Sequence, residues 1–192
     1  MPDTLIDPVL IASHVIVGLQ QVISRNRKPA APSVLSFGKV IANGATNVIP
    51  NEVYIEGTFR CMDEEWREEG WKRITKIAQG LAEAMGGSCD VEVRKGYPYL
   101  KNHPELTRRT KAAAVSYMGA ENVVDLDLWL AGEDFAFYSQ VTDACFYRLG
   151  TRNEARGIVS GVHTPTFDID ESALEIGPGL MSWLALEELK IS

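Results

Sequence analysis

The sequence patterns of the first hundred residues predict secondary-structure elements in the order helix, strand, strand, helix, strand. Asp7-Pro8 begins the first helix, because an N-cap followed by proline is typical of a helix start. Residues 33–42 and 52–60 are predicted strands, and the second alternates between an apolar and a polar face. Asp63 caps the second predicted helix, and residues 88–95 form the last predicted strand.

This order corresponds to a ferredoxin-like βαββαβ unit without its leading strand. We expect Cys89, Val91 and Val93 to face inward on the strand at 88–95. In this fold the leading strand is a central one, and its loss leaves backbone groups of buried neighbours unpaired, which is costly. We therefore expect that the chain begins downstream of a first strand.

The pattern changes around residues 96–100, and we place a domain boundary there, between residues 1–100 and 101–192. The second part has the order α-β-α-β-α. Two strands bury three helices poorly, so we expect the closing part of a larger α/β domain. Its predicted elements are a helix at 104–118 closed by Gly119, strands at 123–130 and 144–150, a strand-to-helix turn at 131–138, and a last helix capped by Asp170.

The charge balance argues against some partners. Nineteen basic and 26 acidic residues give a net charge of −7, which disfavours nucleic acid or an anionic membrane as the main partner. No apolar run approaches the ~20 residues of a membrane span, and the first residues show no signal-peptide core. Cys61, Cys89 and Cys145 lack zinc-knuckle spacing. They are interpreted as reduced thiols, so we expect a cytoplasmic protein.

Two residues of the predicted hairpin are suited to binding an acid. Asn47 lies in the Asn/Gly-rich connection between the strands, and Arg60 ends the second strand on its polar face. A planar guanidinium can bind a carboxylate with two parallel hydrogen bonds, and an amide can add a third. The alternative is that Arg60 forms a surface ion pair and Asn47 shapes the turn.

Two further positions are candidates in the second half. Glu133 and Asp134 follow a predicted strand, where α/β domains bind ligands, although acids there also cap helices. His163 lies in a short polar loop before the last helix. A neutral imidazole serves as a metal ligand or an acid/base group near neutral pH. The alternative is an exposed loop histidine without such a role.

Four stretches occur in an order and at a spacing that resemble a known family across essentially the whole chain. Together they are similar to the zinc-dependent amidohydrolase branch of the aminoacylase-type metallopeptidases. That branch includes hippurate hydrolases, N-acyl-amino-acid amidohydrolases and plant auxin-conjugate hydrolases. The stretches are Gly44-Ala-Thr-Asn-Val-Ile-Pro50, Gly57-Thr-Phe-Arg60, Gly132-Glu-Asp-Phe-Ala-Phe-Tyr138 and His163-Thr-Pro-Thr-Phe-Asp-Ile-Asp-Glu171.

The resemblance implies a ferredoxin-like lid, which also dimerises, followed by the end of a two-metal catalytic domain. It implies that His163 is a zinc ligand; manganese or cobalt would also suit such ligands. Asn47 and Arg60 would bind the carboxylate of a small N-acyl amino acid or peptide-like substrate. Glu133 and Asp134 would line the substrate pocket.

The sequence also departs from that family. Members carry, upstream of the lid, a metal motif of Cys, His and Asp and a Glu-Glu pair that includes the general base. A Gly-Gly-His stretch lies in their first lid strand, and none of these features occurs here. One imidazole cannot hold two zinc ions, so we expect a fragment of an amidohydrolase that is inactive alone.

Two other functions compete with this interpretation. One is a non-catalytic ferredoxin-like dimerisation or effector-binding module with an α/β appendage. The other is an RNA-binding ferredoxin-like domain, which the charge of −7 and the lack of a basic aromatic sheet face disfavour.

Overall fold

A computed structural model describes residues 2–29 and 31–190. It combines helices with one small sheet and contains two compact units. The first unit comprises the residues up to Tyr99 together with Trp129–Asp134. The second comprises Leu100–Leu128 and the residues from Phe135 onward. The interpretation of these units as a lid and the end of a catalytic domain stays a prediction.

Two helices of the first unit begin at the predicted caps. The carboxylate of Asp7 accepts hydrogen bonds from Val9 N at 2.9 Å and Leu10 N at 3.0 Å. The carboxylate of Asp63 accepts from Trp66 N at 2.8 Å. All three bonds satisfy N–H groups that a helix start leaves without partners. The helices are α1 at Pro8–Gln21, extended by a π-helical turn at Val22–Asn26, and α2 at Glu64–Ala84; a 3-10 turn at Pro2–Thr4 precedes them.

The sheet consists of two antiparallel strands, β1 at Ser33–Ile41 and β2 at Tyr54–Cys61. Both were predicted and both are confirmed. Ser33 pairs with Cys61 and Ile41 with Tyr54, with an irregularity in register between Phe37 and Lys39. Among the described residues each strand has one neighbour. Each strand therefore keeps one edge without a ladder partner from this part of the chain.

The core of the first unit lies between one face of the sheet and the two helices. Val22 is fully buried and Leu19 is 3% exposed. The ring of Phe59 packs so closely on α2 that a Cβ at Gly70 would lie 2.5 Å from it. Glycine at this position therefore permits the strand and the helix to approach each other. The buried members of this core are Ile11, Val15, Leu19, Val22, Leu35, Ala78 and Ala82.

The predicted strand at 88–95 is wrong, since these residues form no strand. Cys89 and Val91 pack against the core of the first unit as expected, but Val93 is 39% exposed. Alternation of apolar residues predicts which side chains turn inward, whereas a strand also requires a neighbour for its backbone hydrogen bonds. No described strand pairs with these residues.

The second unit is built around two packed helices. Its helices are α3 at Pro104–Met118, α4 at Ala136–Ser139 and α5 at Ala173–Leu189, with a 3-10 turn at Ala120–Asn122. The predicted end of α3 at Gly119 is confirmed, and that glycine has a φ of +88°. Arg109 of α3 donates to the carboxylate of Glu188 of α5, at 2.7 Å for the shortest contact. The indole N–H of Trp183 donates to Ala113 O at 3.0 Å.

The strands predicted at 123–130 and 144–150 are also wrong. Leu126 and Leu128 are 56% and 62% exposed, although their alternation with Asp125 and Asp127 is typical of a strand with one buried face. The backbone of Phe146 forms a pair of hydrogen bonds with the side-chain amide of Asn102, both at 2.8 Å. A side chain thus satisfies backbone groups that would otherwise join a sheet ladder. No helix in residues 2–29 or 31–190 has the length and apolar character needed to cross a membrane.

Candidate functional site

His163 lies on a loop that we define as residues 159–169 and call the His163 loop. A tight turn precedes it, in which the backbones of Asn153 and Ile158 bond in both directions at 2.9 Å. Gly157 provides the left-handed residue of that turn, with a φ of +71°. The hydrogen bonds of this turn therefore fix the start of the His163 loop.

The backbone of His163 is in the left-handed region, with a φ of +64°. It is the one non-glycine residue with a positive φ in the part of the chain that the structure describes. Such a conformation is costly, histidine tolerates it better than most residues, and it often marks a functional site. Two bonds of 2.8 Å hold the loop around it, Thr164 Oγ1 to Gly161 O and one between the Ser160 and Thr166 hydroxyls. His163 itself is exposed.

Asp170 closes the loop on the other side. It was predicted as the N-cap of the last helix, but α5 begins at Ala173. Its carboxylate does accept a hydrogen bond from Ser172 N at 3.1 Å. The side-chain hydrogen bond from Asn153 holds the pKa of Asp170 below its ordinary value, with smaller contributions from Ser172 and the charge of Arg156. Neither Asn153 nor Arg156 was predicted as a site residue, and only the Asn-x-x-x-Gly spacing of the turn indicates them.

The described residues include one candidate metal ligand, His163, but no complete metal centre. Within residues 2–29 and 31–190, no three His, Cys, Asp or Glu side chains converge on a common point that could hold a metal ion. A protein zinc site uses three or four such ligands. His163, with an exposed imidazole on a braced loop, is a suitable single donor.

Arg60 lies beside the segment that carries the two candidate acids. Its guanidinium Nη1 donates to Leu130 O at 3.0 Å, and both residues belong to the first unit. Glu133 is half-buried and Asp134 is exposed. The structure thus brings Arg60 next to the segment of Glu133 and Asp134. A guanidinium has five N–H donors, so one bond to a backbone carbonyl is compatible with carboxylate binding.

Asn47 lies in a compact turn of the connection between β1 and β2. Ala45 and Val48 bond to each other through their backbones at 2.9 and 3.1 Å, which leaves Asn47 exposed between them. A Cβ at Gly44 would lie 2.5 Å from Val48 O, so this close approach requires glycine. The connection enters β2 at Tyr54, six residues before Arg60, or about 20 Å along the strand. A ligand shared by Asn47 and Arg60 therefore requires the connection to fold back, and joint binding stays a prediction.

The comparisons with known proteins agree on one family. The family model described as peptidase family M20/M25/M40 matches residues 9–187. An IAA-amino acid hydrolase of Arabidopsis thaliana is 34% identical over 199 residues, covering 100% of this chain and 45% of the relative. The N-acetyl-L-cysteine deacetylase of Bacillus subtilis is 33% identical over 174 residues, covering 91% of this chain and 40% of the relative.

A solved structure gives the same result at the level of the fold. A Bacillus subtilis protein, described as a dinuclear metal-binding peptidase of the M20 family, superposes with a TM-score of 0.73 at 27% identity. The match covers 96% of this chain and 47% of that protein. The chain thus spans less than half the length of these relatives. On the family match over residues 9–187, it belongs to peptidase family M20/M25/M40.

Proposed function

We propose that this chain is part of a metal-dependent amidohydrolase that cleaves the amide bond of N-acyl amino acids or similar conjugates. The observation that carries the proposal is His163, held with a left-handed backbone on a braced loop. Two relatives, named as an IAA-amino acid hydrolase and an N-acetyl-L-cysteine deacetylase, support the substrate class. The non-catalytic module is not favoured, because the two relatives are named as a hydrolase and a deacetylase and the superposed structure is described as a peptidase.

In this proposal the chain supplies one metal ligand and the groups that hold the substrate. His163 binds one of two divalent metal ions, which we expect to be zinc. When bound, such ions supply Lewis acidity at the amide carbonyl and lower the pKa of a water molecule. Asn47 and Arg60 bind the substrate carboxylate, and Glu133 and Asp134 line the pocket. One imidazole cannot hold two metal ions, so we propose that this chain alone is inactive.

The proposal extends to assembly and location. The first unit would join two copies into a homodimer, and the protein would act in the cytoplasm. All three cysteines are free thiols, which accords with a reducing compartment. Sedimentation of the purified chain tests the dimer, since a monomer at micromolar concentration would contradict it.

The test is to complete the enzyme. The chain is joined behind the upstream half of the Bacillus subtilis N-acetyl-L-cysteine deacetylase, loaded with zinc, manganese or cobalt, and assayed on a panel of N-acyl amino acids. We expect the joined protein to release free amino acids, and the 192-residue chain to retain almost no metal and to release none. A folded joined protein that binds two metals and hydrolyses no member of the panel would contradict the proposal.

Arg60→Ala in the joined enzyme is expected to reduce kcat/KM for N-acyl amino acids by about 1–3 kcal/mol in transition-state free energy. The reason is the loss of charge-assisted hydrogen bonds to the substrate carboxylate. The matched control is the same substrate with that carboxylate converted to a neutral amide, for which the variant should change kcat/KM little. An equal loss with both substrates would indicate that Arg60 acts through its bond to Leu130 O instead.

A further inference from the structure

The base of the His163 loop is closed by one side chain. The Asp170 side chain is only 18% exposed, and its carboxylate accepts hydrogen bonds from three donors. The backbone N–H of the same residue donates to Thr151 O at 2.9 Å. The bonds to the carboxylate come from Asn153 Nδ2 at 2.5 Å, Ser172 N at 3.1 Å and Arg156 Nη1 at 3.4 Å.

These bonds hold both ends of the loop at one place. Asn153 pairs through its backbone with Ile158, the residue before the loop, and through its side chain with Asp170, the residue after it. Holding the two ends of an 11-residue segment together removes most of the conformations open to it. The left-handed backbone of His163 persists only if its surroundings impose it.

We propose that Asp170 is the positioning residue for His163: it closes the loop base and thereby keeps the histidine in its left-handed conformation. This inference rests on the proposed function, since a ligand role is what makes a fixed imidazole useful. Charge-assisted bonds at a partly desolvated carboxylate are stronger than neutral ones, which suits a single acid to this task.

The same loop contains a matched control. Asp168 has the same charge and lies two residues away, but its Oδ1 accepts from the adjacent Ile169 N at 2.8 Å. That bond is local and does not join the two ends of the loop. Asp168→Ala and Asp170→Ala therefore remove the same group, and only the second opens the base.

The experiment uses NMR on the isotope-labelled 192-residue chain, without metal or substrate. In Asp170→Ala, we expect the hydrogen-bonded amides of Ile158 and Phe167 to exchange about tenfold faster with solvent. The Cα and Cβ shifts of His163 should move away from left-handed values. Asn153→Ala should cause the same changes, and the double variant should add less than about twofold, because both residues form one bond network. Asp168→Ala should leave the His163 shifts in place.

Two outcomes would overturn the inference. One is an unchanged set of His163 shifts in both Asp170→Ala and Asn153→Ala. The other is an exchange rate that rises as much in the middle of α5 as in the loop, which would indicate a general structural role. Neither depends on metal binding. A failure of the proposed function would appear instead in the joined enzyme, so the two failures can be told apart.

Discussion

His163→Ala in the joined enzyme is expected to lower kcat for N-acyl amino acids at least about 100-fold, since loss of even an outer-shell partner of a metal ligand costs 10–100-fold. It should also reduce the metal content by about one ion per chain, because a site with one donor fewer no longer retains its ion. Mass spectrometry of the dialysed protein and steady-state kinetics measure the two effects.

His14→Ala is the control for this experiment. His14 is an exposed residue of α1, so its substitution removes an imidazole without touching the His163 loop. We expect its activity and metal content to match those of the unaltered protein. A His163→Ala variant that keeps both metals and its activity would exclude the ligand role. The remaining interpretation would be an exposed loop histidine.

Leu19→Ala is expected to lower the free energy of unfolding of the first unit by about 2–5 kcal/mol. Leu19 is 3% exposed and belongs to the core formed by α1, α2 and β1, so the truncation leaves a cavity there. Urea unfolding, monitored through hydrogen exchange of the α2 amides, measures the free energy of unfolding of the first unit separately from that of the second.

Val17→Ala on the same helix provides the comparison, since Val17 is 72% exposed. Its effect should stay within about 0.5 kcal/mol, as for most surface substitutions. Equal losses in the two variants would mean that α1 does not pack as described.

The helices of this chain were predictable because their signals are local. Asp7 and Asp63 form caps with backbone groups two or three residues away, and Gly119 ends α3 with a positive φ. The hairpin of β1 and β2 was predictable for a related reason, since its two strands are close in sequence and one alternates clearly.

The three strands predicted at 88–95, 123–130 and 144–150 failed because a strand depends on its neighbours. The alternation of apolar residues correctly predicted that Cys89 and Val91 face inward. It could not predict whether a second strand would form backbone hydrogen bonds with residues 88–95, and none does among the described residues. In the stretch 144–150, the side-chain amide of Asn102 forms both backbone hydrogen bonds of Phe146 that a neighbouring strand could otherwise form. The spacing of these two residues in the sequence does not predict that pairing.

The candidate site was predictable in part. The residues His163, Asn47 and Arg60 were identified from their chemistry and from the motifs around them, and their roles stay predictions. The bond between Arg60 and Leu130 joins residues 70 positions apart, and the bond between Asn153 and Asp170 joins residues 17 positions apart. Such contacts arise from tertiary folding, so the sequence pattern could not have predicted them.

The two-stranded sheet favours self-association of this protein at high concentration. Within residues 2–29 and 31–190, no strand lies beside the outer edges of β1 and β2, so their N–H and C=O groups can bind another extended chain. At high concentration we expect a strand of a second molecule of the same protein to bind there, so self-association should increase with concentration. A proline or lysine on an outer edge would reduce such pairing. Light scattering over a concentration series would show whether it does so.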